Sequence, residues 1–109
     1  MAHYLIAQVK VNDDSWVPDY AVNVHNLVHR HGGKYLARSG SITTLEGKES
    51  DVDLIALIEF PSEQAMQEFM SDPDYAPYAE ARKAGTESQF VGIDATDLAG
   101  TIPYLNAAN

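Results

Sequence analysis

The chain has 109 residues, 45 % of them apolar, and 16 acidic against 7 basic side chains give it a formal net charge of −9. That fits one small globular domain, and the acid surplus speaks against nucleic acid or an anionic membrane surface as a partner. With no cysteine there is no disulfide framework, thiolate metal site or cysteine nucleophile; with no long apolar run and no room before the first strand for a signal peptide, the expectation is a soluble cytoplasmic protein.

Tyr4 to Val11 reads as a strand, with Leu5, Ala7, Val9 and Val11 on one face and Tyr4, Ile6, Gln8 and Lys10 on the other. Asn12 to Ser15 is a turn and cap cluster. The helix after it carries Val17, Tyr20, Ala21, Val24, Leu27 and Val28 at i, i+3, i+4 spacing, and Gly32-Gly33 ends it. Pro18 is tolerated because the first turn has no use for its missing N–H.

Lys34 to Ser39 is a second strand, expected to continue in bent form through Ile42–Leu45 to Gly47. Gly40 signals a bulge or a close backbone approach. Lys48 to Asp51 is a charged loop into the third strand, where Leu54 to Ile58 is apolar without a break and asks for cover on both faces. Glu59 puts a carboxylate near its end, Pro61 stops it, and Ser62 caps a helix over Glu63 to Met70 that turns Ala65, Met66, Phe69 and Met70 inward. Pro77 opens a short helix that Gly85 ends. Gln89 to Ala95 is the last strand, and residues 96–109 form a tail after a single domain over 1–95.

The order β–α–β–β–α–β favours a ferredoxin-like α+β fold, an antiparallel four-stranded sheet of order 4-1-3-2 with both long helices on one face. That leaves the other face of two apolar strands bare. A second copy packing sheet to sheet as a dimeric α+β barrel would cover it; the tail folded over the sheet is the rival account.

Several side chains are candidates for chemistry. Alternation places Leu36 with Arg38 and, if the strands are in phase, brings Gln8, Arg38 and Glu59 into the interior between two sheets. An Arg38–Glu59 pair is then expected, since an unpaired charge there is costly. It is either the polar end of a ligand cavity, with Arg38 gripping an anionic oxygen and Glu59 accepting a proton, or an ion pair bracing the sheet. Trp16 and Tyr20 share a helix face, as core or as a ligand wall, and Tyr75 sits in an irregular connection where a phenol can act as a lid. His25 and His29 have metal-ligand spacing without a completing ligand, so a solvated face is expected and no metal.

Together, Gly32-Gly33, Tyr35-Leu36-Ala37-Arg38, Leu45-Glu46-Gly47, Ile58-Glu59-Phe60-Pro61-Ser62, Tyr75 and Arg82 resemble the domain of unknown function 1330 family, from about Tyr4 to Asp94. The resemblance implies the two-chain barrel, and makes Arg38, Glu46, Glu59, Tyr75 and Arg82 the positions of the family's polar residues. It implies no established reaction. Relatives in the superfamily suggest a small planar phenolic or enolic ligand. The chain departs from the family pattern at Ser39, at Pro77 and in its tail. Three readings stay open: an enzyme without metal or cofactor, using Glu59 and Arg38; a small-molecule binding or sensing barrel; and a structural homodimer.

Overall fold

In chain order, the elements are β1 (His3–Val11), α1 (Val17–Arg30), β2 (Lys34–Ser39), β3 (Leu54–Phe60), α2 (Glu63–Met70), α3 (Ala76–Gly85) and β4 (Thr86–Asp94). A turn of 3-10 helix at Leu98–Thr101 follows. The computed structural model describes residues 1–103. The strands form one antiparallel sheet in the order β2-β3-β1-β4, which is the ferredoxin-like order expected from the sequence.

Strict alternation in β1 and β3 decides the two faces. Leu5, Ala7 and Val9 in β1, with Ala56, Ile58 and Phe60 in β3, are buried beneath the helices. α1 lays Val24, Leu27 and Val28 on them, and α2 adds Met66 and Phe69. The Ser62 hydroxyl caps α2 by accepting from the Ala65 N–H at 3.0 Å. Gly32 turns the chain out of α1 with φ of 77°. Gly33 is pressed against the core: a Cβ there would come within 2.6 Å of a Val28 methyl.

Three local expectations need correction. The stretch after β2 leaves the sheet instead of extending it, and residues 40–53 contain no strand. Gly40 marks the exit as a close approach, since a Cβ would lie 2.9 Å from the Asp53 carbonyl. The bulge falls earlier, at Leu36, between the pairs Tyr35–Ile58 and Ala37–Leu57. Met70 is exposed at the end of α2, and β4 starts at Thr86, because the outer end of β1 pairs Val11 with Thr86.

The other face of the sheet carries Tyr4, Ile6, Ile55, Leu57, Val91 and Ile93. Of these, Val91 and Ile93 are 40 % and 53 % exposed. In the tail, Leu98 and Ile102 are exposed, while Tyr104 and Leu105 lie outside the described residues. No helix among the described residues is long and apolar enough to cross a membrane.

Candidate functional site

The sheet and the helices do not close completely on each other. Between them lies a cavity of about 320 Å³ whose floor is the helix-facing side of β1 and β3 and whose roof is α1. Its middle is hollow because the floor there is Ala7 paired with Ala56. Two methyl groups stand where Leu5 with Ile58 and Val9 with Leu54 fill the neighbouring rows. This cavity is on the helix side of the sheet, opposite the face where the sequence suggested one.

Five candidate residues converge on this cavity. Trp16, Tyr20, Arg38 and Arg82 line it, and Tyr75 holds Tyr20 from behind through a hydroxyl–hydroxyl bond of 3.0 Å. Gln8 and Glu59 do not reach it. Gln8 pairs with Ile55, and Glu59 pairs with Tyr4 and Lys34, all on the opposite face. Glu46 is exposed in the loop after β2. The expected common face of Gln8, Arg38 and Glu59 is therefore half right: Gln8 and Glu59 share it and Arg38 does not. No Arg38–Glu59 pair forms among the described residues. The bulge at Leu36 is the cause. One extra residue reverses the alternation, so Tyr35 opposite Ile58 and Arg38 opposite Ala56 both turn toward the helices.

Arg38 then meets a different set of partners. Its guanidinium lies 3.8 Å from the centre of the Tyr35 ring and donates from Nη2 to His25 Nδ1 at 2.8 Å. His25 is half-buried, and its ring stacks on Tyr35 at an interplanar angle of 4°. Partial desolvation, with His29 and Arg38 adding repulsion, lowers its pKa.

Arg82 sits deeper. It is 4 % exposed, its guanidinium lies 4.1 Å from the centre of the Phe90 ring, and Nε has no hydrogen-bond partner among the described residues. No ion pair to it forms among the described residues. The Trp16 indole Nε1–H is buried and unpartnered as well. Trp16 owes its position to Gly85, where any Cβ would come within 2.7 Å of the indole. Its edge meets Tyr20 in a T-shaped contact at 5.0 Å. Burial, and then the Tyr75 hydroxyl, push the Tyr20 phenol far above its ordinary pKa. Burial also raises Tyr35, with Arg38 opposing.

Counting donors against acceptors defines what the cavity can take. The Tyr20–Tyr75 pair holds two hydroxyl protons and uses one in its mutual bond, so one is free to donate. Two guanidiniums and the Trp16 N–H are donors only. The single carboxylate on the wall, Asp53, is engaged by the Val11 N–H at 2.7 Å. The site is apolar, rich in donors and poor in acceptors. Among the described residues no group of three or more His, Asp or Glu side chains is placed to hold a metal.

A family model for "Domain of unknown function (DUF1330)" matches residues 2–96. The chain belongs to this family. No curated protein matched the sequence. Among solved structures, a protein of unknown function from Rhodopseudomonas palustris is similar at 20 % identity and a TM-score of 0.72, over 88 % of this chain and 83 % of that one. SnoaB, a cofactor-independent oxygenase from Streptomyces nogalater, is similar at 14 % identity and a TM-score of 0.62, over 88 % of this chain and 94 % of its own. A dimeric ferredoxin-like protein of unknown function from Thermobifida fusca is similar at 15 % identity and 0.53, over 86 % and 91 %. At these identities the likeness carries the ferredoxin-like fold of this DUF1330 chain and nothing of its chemistry.

Proposed function

We propose that this protein binds a small, planar, largely apolar molecule bearing an anionic oxygen, phenolic, enolic or carboxylic, in the cavity between sheet and helices. One observation carries the reading: Arg82 is buried beside an apolar hollow with no counter-charge among the described residues. A guanidinium in that position is costly to the free protein, and an anionic ligand relieves the cost. Trp16, Tyr20 and Phe90 supply flat apolar walls, and Arg38 stands at the exposed rim as a second cation. Glu59 is on the wrong side of the sheet to act as a base on anything bound there. Binding or sensing is therefore better supported than acid–base catalysis by the pair Glu59 and Arg38. The kinship in fold to a cofactor-independent oxygenase keeps small aromatic ligands in view without assigning that reaction.

The uncovered face of the sheet supports a homodimer in the same reading. Contiguous Tyr4, Ile6, Ile55, Leu57, Val91 and Ile93 make an apolar patch of the kind that marks an interface, and one relative of this fold is described as dimeric. Gln8 and Glu59 then belong to the subunit contact and not to the ligand.

The test is a panel of phenolic, enolic and aromatic carboxylic acids titrated against wild type and Arg82→Gln, followed by melting temperature. Binding confined to wild type supports the reading. Equal stabilisation of both proteins removes Arg82 from the site, and no binding by any acid discards the reading.

A further inference from the structure

The two guanidiniums of the cavity stand at the ends of a single row across the sheet. Arg38 in β2 is opposite Ala56 in β3, Ala56 is opposite Ala7 in β1, and Ala7 is opposite Phe90 in β4, whose ring carries Arg82. All four members of the row face the helices. Three inter-strand steps of about 4.8 Å separate the backbones of Arg38 and Phe90 by roughly 14 Å. Between them the floor consists of two alanines. The row is a trough with a cation at each end and nothing bulky in the middle.

The ends differ in a useful way. Arg82 closes the inner end, buried on the Phe90 ring and without an ion pair among the described residues. Arg38 marks the outer end at the exposed edge strand, where an aromatic face and an imidazole nitrogen hold it and, among the described residues, no carboxylate neutralises it. Asp53, the acid on the wall, lies beyond the Leu54–Val9 row and is held to the end of β1 by the Val11 N–H. It is off the line joining the two arginines.

We infer that the preferred ligand is two-ended: a flat aromatic or conjugated molecule with an anionic oxygen group at each extremity, the inner one on Arg82 and the outer one on Arg38. This rests on the binding reading above and adds to it the charge and length of the ligand. A one-ended acid would satisfy Arg82 and leave Arg38 idle.

Calorimetric titration with matched pairs tests it: benzene, naphthalene and biphenyl dicarboxylates with acid groups at opposite ends, each against its monocarboxylate. At least one diacid should bind wild type ten-fold or more tightly than its monoacid. Arg38→Gln should abolish that advantage, Arg38→Lys should retain part of it, and Arg82→Gln should weaken both classes of acid. Monoacids that bind as tightly as diacids, with no effect of Arg38→Gln, overturn the two-ended ligand and leave the cavity reading standing. Failure of all six acids to bind overturns the two-ended ligand, and the cavity reading falls with it only if the phenolic and enolic acids of the wider panel fail as well. Arg38 is on the surface, so its variants fold; a circular dichroism melt confirms it.

Discussion

Arg82 lies with its guanidinium 4.1 Å from the centre of the Phe90 ring, and no ion pair to it forms among the described residues. A cation–π contact offsets part of the cost of a buried charge and leaves the rest. Arg82→Met should therefore raise Tm in the absence of ligand, by about 4 °C for each kcal/mol recovered. The same variant should lose at least ten-fold in affinity for aromatic acids. A Tm that falls by a similar amount would show that the free protein needs the charge.

The Tyr20–Tyr75 bond makes a second prediction. Tyr20→Phe should cost about 1 kcal/mol of stability by urea unfolding, and adding Tyr75→Phe should cost less than the sum of the two single changes. The folded state raises the Tyr20 pKa, so its contribution is complete below the unfolded phenol value near ~10 and is lost as pH rises beyond it. Wild type should lose stability above about pH 10 more steeply than Tyr20→Phe.

The trough can be filled. Ala56→Leu places three more carbons over empty space and should leave stability unchanged or higher by about 1 kcal/mol. Ligand binding should be lost. A drop of more than about 2 kcal/mol, the signature of overpacking, would show that the hollow is smaller than described.

Asp72 ties the end of α1 to the turn before α3. Its Oδ2 accepts from His31 Nε2 at 2.7 Å and from Arg30 Nη2 at 2.6 Å, and its Oδ1 from the Asp74 N–H at 2.8 Å. These bonds, His31 foremost, hold its carboxyl well below the usual range. A lowered carboxyl stabilises the fold above the ordinary carboxylate pKa and ceases to do so as pH falls toward its folded value. Tm should fall more on acidification from pH ~6 to pH ~3 in wild type than in Asp72→Asn.

The open face makes the last prediction. Leu57→Glu puts a charge in the middle of the apolar patch opposite Ile6 without touching the helix-side core. Sedimentation should show wild type as a dimer at about micromolar concentration, where interfaces of standard size are stable, and the variant as a monomer with the same circular dichroism spectrum. A wild type that sediments as a monomer there discards the pairing.

Much of this was legible in the residues. The runs Leu5–Val9 and Leu54–Phe60, the stripe Val24–Leu27–Val28 and the cap at Ser62 dictate elements through interactions within a few residues of each other. Element type and order therefore follow from the chain alone, and order with handedness gives the sheet. Arg82, Tyr75, Trp16 and Tyr20 were candidates that the fold gathered. The alanine floor was missed, although small residues at matching places in two apolar strands, Ala7 and Ala56, were its signal. Tyr35 and Phe90 were missed because nothing local marks them, and His25 because helical spacing alone put it opposite the apolar stripe.

What the chain could not announce was the phase of β2. Alternation fixes which residues of a strand agree with one another and is silent on which side of the sheet they take. The bulge at Leu36 is set by the pairing of β2 with β3, whose partners are distant in sequence. That one unpaired residue sends Arg38 to the helices and away from Glu59. The sequence determined that a cation and a carboxylate would stand on a sheet with two apolar sides. Only long-range pairing decided that they stand on opposite ones.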